Sequence, residues 1–130
     1  VCSSDLTFAI ILLTLAILDF LWLGLISKNL YSKELKSIQK QKFNFYSAFL
    51  VYILLAIGIF IFVLNNNLAT NTQQTIILGA LFGLITYGVY DLTNLTIIKN
   101  WPLKIVIIDI IWGTLLCSTT AAITKYSSLL

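Results

Sequence analysis

The sequence predicts an all-α polytopic membrane protein, an antiparallel bundle of four transmembrane helices, on three observations. The chain of 130 residues is 59% hydrophobic and only 10% charged, where a soluble domain is about 45–50% apolar and about 25% charged. Four apolar runs, Leu6–Ile26, Phe45–Leu64, Ile76–Ile98 and Leu103–Ile123, are 21, 20, 23 and 21 residues long, and a bilayer crossing takes about 20. The lysines gather in alternate connections. A small soluble core cannot hide this much apolar mass, so soluble enzymes, nucleic-acid binders and secreted disulfide domains are excluded. Backbone groups in lipid must be satisfied within their own segment, which makes each run a helix. Residues 1–130 read as one integral membrane domain.

The first run carries Asp19 and Trp22. It lacks a basic n-region, exceeds a signal h-region in length and has no small-residue cleavage site after these polar groups, so it reads as a retained span. Val1–Asp5 lacks an initiator Met and reads as an altered start. Cys2 and Cys117 make no disulfide framework. Cys117, inside an apolar run, reads as a small buried hydrophobe. The second run has no charge, and its Phe49, Tyr52, Phe60 and Phe62 read as lipid-facing or packing groups. It is expected at the periphery. In the third run Gly79 and Gly83 form a small-xxx-small pair that admits a close neighbour. Trp101 marks an interface, and Pro102 falls at the first turn of the fourth helix, where its missing N–H costs nothing.

The connections set the expected topology. Ser27–Asn44 holds Lys28, Lys33, Lys36, Lys40 and Lys42 against a single Glu34, and Lys99 and Lys104 bracket the third connection. The second connection has no charge, and the remaining lysine is Lys125. The positive-inside rule puts the lysine-rich connections in the cytoplasm and both termini outside. In the first connection Tyr31, Leu35 and Ile38 oppose Lys33, Lys36 and Lys40 on helical spacing. Such a pattern presents one stripe to lipid tails and one to anionic headgroups.

An ionised Asp at mid-helix costs at least about 2.5–3.5 kcal/mol, and three spans carry one. Asp19 and Asp91 each lie seven residues before the end of their run, and Asp109 lies six after the start of its own. These are depths of roughly 10, 10 and 9 Å from one membrane face. Alternating helix direction makes it the same, lysine-rich face, so three acids share one level. Lys104, five residues from Asp109, is about 140° round the helix, and the other lysines are placed to reach outward to the headgroups. The acids must therefore be protonated, share protons or hold a cation from outside. Tyr87 and Asn94 share the helix face of Asp91, and Tyr90 adds a nearby hydroxyl. Trp22 follows Asp19 by three residues, as Trp112 follows Asp109. An indole N–H can donate to a carboxylate and its ring can wall a pocket off from lipid. Asp19, Asp91, Asp109, Tyr87, Asn94, Trp22 and Trp112 are thus the candidate proton- or ligand-binding residues, with Asp91 as the proton holder. Any metal site would have to use Asp19, Asp91 and Asp109, in a spacing that matches no metal signature. No motif points to a cofactor.

Leu18-Asp19-Phe20-Leu21-Trp22-Leu23-Gly24, Tyr90-Asp91-Leu92-Thr93-Asn94-Leu95, Trp101-Pro102-Leu103 and Asp109-Ile110-Ile111-Trp112-Gly113 resemble short bacterial membrane proteins catalogued as domain of unknown function 2177. The resemblance spans essentially the whole chain and implies a four-span protein of the bacterial inner membrane. It brings no activity.

Three functions are expected to compete. In the first, the acids serve binding or translocation of a proton, metal ion or small organic cation, which the unpaired carboxylates favour. A membrane-embedded enzyme acting on a lipid or isoprenoid would need Asp as general acid/base; no His, nucleophile motif or phosphate-cradling loop supports it. A structural or accessory subunit would use the acids to hold helices together. Partners are membrane lipids and, in a single orientation, a homodimer of parallel subunits; no nucleic acid is expected. For topology, a cysteine introduced at Asn66 should react with an impermeant thiol reagent on intact cells while one at Lys36 should not; the reverse pattern overturns the orientation.

Overall fold

In the computed structural model, which describes residues 2–26, 28–36 and 44–129, the chain is 87% helical with no strand among the described residues. Helix α1 (Cys2–Leu21) runs on into a π-helical turn, Trp22–Ile26. A short helix α2 (Lys28–Glu34) follows. Helix α3 (Phe45–Gly58) also ends in a π-helical stretch, Ile59–Leu64. Helices α4 (Thr72–Ile97) and α5 (Leu103–Leu129) complete the fold. Four segments, Ser4–Leu25, Phe45–Leu64, Thr72–Ile97 and Leu103–Ser127, are long and apolar enough to cross a membrane. The architecture is the expected all-α four-span bundle. Exposed Leu13, Ile17, Leu54, Ile61, Ile85 and Val89 turn apolar surface outward, as contact with lipid tails requires.

The ends of the helices are set by polar residues that hydropathy alone does not weigh. Asn44 caps α3 by accepting from the Ser47 backbone N–H at 3.1 Å. Asn71 caps α4 by accepting from the Gln74 N–H at 2.9 Å. The Gln74 side-chain oxygen in turn accepts from the hydroxyl of Thr70, the residue before the cap, at 2.5 Å. Helix α4 therefore starts at Thr72, four residues before its apolar run. Between α4 and α5 the chain reverses through Asn100, whose φ of 65° is left-handed backbone that Asn tolerates better than most residues. Pro102 stands one residue before the helix rather than in its first turn, its carbonyl accepting from the Val106 N–H at 3.2 Å.

Helices α4 and α5 share the largest contact in the bundle, because glycines let their backbones touch. Gly79 lies against Cys117, Ser118 and Ala121, and Gly83 against Gly113 and Thr114. The core is then closed by Ile11 and Leu15 of α1, Ala56, Ile59 and Val63 of the second span, and Leu116, Cys117 and Ala121 of α5. Cys117 is a buried free thiol, as expected. The second span is not set apart at the periphery, since its Ala56, Ile59 and Val63 belong to the core. The correction has a physical cause. Tyr52, Ala56, Ile59 and Val63 recur at helical spacing, and this stripe faces the core.

A methyl group at Gly83 would overlap the Gly113 carbonyl, whereas one at Gly88 meets nothing within 4 Å. Gly83→Ala should therefore destabilise by about 1–3 kcal/mol, the usual cost of overpacking. Gly88→Ala should be neutral or gain about 0.5–1 kcal/mol from helix propensity. Unfolding by sodium dodecyl sulfate in mixed micelles measures both.

Candidate functional site

The close α4–α5 contact brings Asp91 and Asp109 together. In antiparallel neighbours each side chain leans toward its own helix N-terminus, so these two carboxyls lean toward one another across the interface and become close neighbours. Asp91 has no accessible surface, and neither of its oxygens receives a hydrogen bond. A carboxylate beside it supplies no donor unless one of the two carries a proton.

Asp109 is better served. It accepts from the Tyr31 hydroxyl of α2 at 2.9 Å, and that hydroxyl oxygen accepts from the Trp22 indole N–H at 3.4 Å. Burial, and next the Asp109 charge, push the Tyr31 phenol above its ordinary range, so Tyr31 remains a protonated donor at neutral pH. Asp19, nearly buried, has a donor on each oxygen: the Trp112 indole N–H at 2.9 Å and the Tyr52 hydroxyl of α3. The indole rings of Trp22 and Trp112 stack with centroids 4.7 Å apart and planes 9° from parallel. The paired Asp and Trp motifs thus work crosswise. Trp112 on α5 serves the acid of α1, and Trp22 beside α1 serves, through Tyr31, the acid of α5.

The three carboxyls line one cavity of about 430 Å³. Tyr31, Tyr87, Tyr90 and Trp101 contribute aromatic and polar wall, and Leu23, Leu35, Val51, Leu55 and Ile105 apolar wall. Tyr90 meets Trp101 edge-on, centroids 6.2 Å apart. Lysines at this end stay outside: Lys28, Lys33, Lys36 and Lys99 are exposed, and Lys104 lies 4.0 Å from Glu34. An exposed pair of that length contributes little, about 0–1 kcal/mol.

Of the seven residues singled out from the sequence, Asp19, Asp91, Asp109 and Tyr87 line the cavity. Trp22 and Trp112 stand behind it and hold its acids. Asn94 is outside the lining and sits beside the Tyr90 hydroxyl. Tyr87 and Asn94, expected on the helix face of Asp91, do not donate to it, since no donor reaches that carboxyl. The Tyr87 ring leans toward the helix N-terminus and packs over Gly113, and the Asn94 amide faces Tyr90. Among the described residues no group of three His, Cys, Asp or Glu is arranged to hold a metal ion. Asp19, Asp91 and Asp109 share a cavity without sharing a coordination sphere, because both oxygens of Asp19 are already engaged by donors.

Sequence reasoning missed two residues. Tyr52, expected as a lipid-facing or packing group, lies on the buried stripe of its helix at the depth of Asp19 and donates to it, a coincidence of level that the chain makes readable. Tyr31 and Leu35, expected on the stripe for lipid tails, instead line the cavity. Lys33 and Lys36 on the other side are exposed as expected, whereas Ile38, Lys40 and Lys42 lie outside the described residues. In comparisons with known proteins, a family model described as predicted membrane protein (DUF2177) matches residues 5–126. No curated protein and no solved structure matches the chain.

Tyr31 is the hydrogen bond that ties α2 to the spans. A bond to a charged group contributes about 1.5–3 kcal/mol, so Tyr31→Phe should speed amide exchange of residues 28–34 by roughly ten- to a hundredfold. Hydrogen exchange in α4 and α5 should be unchanged.

Proposed function

The chain belongs to the family of predicted membrane proteins DUF2177, whose function is unknown, and we propose that it is a binding or translocation protein for a small organic cation. The observation that carries this reading is the pair of neighbouring carboxyls Asp91 and Asp109 in the wall of a cavity with aromatic faces, Asp109 partly accessible and Asp91 behind it with two oxygens lacking donors. Aromatic faces attract cations, and a cavity of about 430 Å³ falls in the size range of small-molecule sites. A proton or bare metal ion needs far less room. The engagement of both Asp19 oxygens also weighs against a three-carboxylate metal site.

The same reading takes the bacterial inner membrane as the location, Ser27–Asn44 as cytoplasmic and both termini as outside. It rests on the lysine asymmetry, and it puts the mouth of the cavity on the cytoplasmic side, beneath α2.

Purified protein in phosphatidylcholine nanodiscs, heated with octylammonium and separately with Mg²⁺, tests the proposal. Octylammonium at a hundred times its Kd should stabilise the wild type by about 2.7 kcal/mol, and Mg²⁺ should give no comparable shift. Asp91→Asn should fold and lose the octylammonium response. An equal response from Asp91→Asn would overturn the proposal in favour of a scaffolding carboxyl.

A further inference from the structure

At the level of the acids the second and third spans part. Tyr52 of α3 donates to Asp19 of α1, which draws α3 toward the first span, while Gly83 seats α4 against Gly113 of α5. Helix α3 accordingly packs chiefly on α1, and the second span rests on α4 through the π-helical stretch Ile59–Leu64. The Phe82 ring lies over Gly58 and closes the seam there. On the other side of that ring two residues that line the cavity from the facing helices, Val51 and Tyr90, are 53% and 56% exposed. Val51 lies six residues after the start of α3 and Tyr90 seven before the end of α4. These are depths of roughly 9 and 10 Å, below the headgroups and among the acyl chains. The cavity therefore opens sideways toward lipid at the depth of its acids.

The lining is divided to match. Helix α3 contributes only the apolar Val51 and Leu55, whereas the first, third and fourth spans contribute Asp19, Asp91 and Asp109. Of these acids Asp109 is the one with appreciable accessible surface, and the Tyr31 hydroxyl engages its Oδ1. From this arrangement we infer that the ligand is a single-chain amphiphile with a protonated amine head, taken from the bilayer through the opening between α3 and α4. Its ammonium group sits at Asp109, and its tail passes Val51 and Tyr90 and stays among the acyl chains. This rests on the organic-cation reading and adds the class of cation and the side from which it comes.

A chain-length series tests it: butyl-, hexyl-, octyl-, decyl- and dodecylammonium, titrated into the protein in phosphatidylcholine nanodiscs, with empty nanodiscs giving the partition of each amine. A tail that remains in lipid makes affinity follow partition. The Kd referred to free aqueous amine should fall roughly fourfold per methylene through dodecyl, and the Kd referred to nanodisc-bound amine should stay constant. Asp109→Asn, which keeps an acceptor for Tyr31, should weaken every amine by roughly tenfold or more, as the charge-assisted bond is lost, and leave the increment per methylene unchanged. A dodecylamine carrying a mid-chain diazirine should label α3 or α4. An aqueous Kd that stops falling beyond hexyl, label confined to α2, or full affinity in Asp109→Asn overturns the inference while leaving organic-cation binding in place. Failure of every amine to bind overturns the organic-cation reading itself.

Discussion

The backbone contact between α4 and α5 governs the site. Gly83 can lie against Gly113 only because neither has a side chain to hold the helices apart. In a bilayer no hydrophobic force draws helices together, so close van der Waals approach of small residues must do so. Once that distance is set, Asp91 and Asp109 face each other and Tyr87 has only the hollow over Gly113 to occupy. Everything else, including the cavity and the path of α2 beneath it, is arranged around a pair of helices too close for their acids to avoid one another.

Hydrogen-bond donors are then distributed unevenly among three carboxyls. Among the described residues Asp19 has two, Asp109 has the Tyr31 hydroxyl, and Asp91 has none. A purely structural set of buried acids would be expected to share its donors, because each unsatisfied carboxyl oxygen in an apolar wall carries a penalty. The hydroxyls of Tyr31 and Tyr52 and the indole of Trp112 instead fix the two acids at the sides, leaving the third with capacity to spare. Such a distribution costs stability at one residue while making the other two rigid.

Much of this was legible in the chain. Span number, span limits and the shared depth of Asp19, Asp91 and Asp109 follow from apolar run length and a rise of about 1.5 Å per residue. The Gly79–Gly83 pair announced a tight helix contact. Less accessible were the partners across helices. A Trp three residues after an Asp shares its face in a regular helix, but side-chain tilt and the π-helical turn at Trp22–Ile26 send each indole to a neighbouring helix instead. Tyr52 and Tyr31 were hidden for a different reason: one aromatic residue in an apolar run looks the same whether its ring meets lipid or its hydroxyl meets an acid. Helix ends at Thr72 and Leu129 exceeded the apolar runs because polar caps and terminal turns can sit among headgroups, where hydropathy gives no signal.

The bond between Trp112 and Asp19 joins residues 93 positions apart, and that separation bears on how the protein is made. Ribosomes add roughly 5–20 residues per second, so roughly 5–20 s pass after Asp19 is synthesised before its indole partner exists. Tyr52 arrives sooner, 33 positions on, and the first two spans can offer Asp19 one donor while the last two are still being translated. A helix bearing an unsatisfied acid is costly to release into lipid. Biogenesis is therefore favoured by an insertion machinery that retains the early helices in a sheltered, partly aqueous environment until the fourth has emerged.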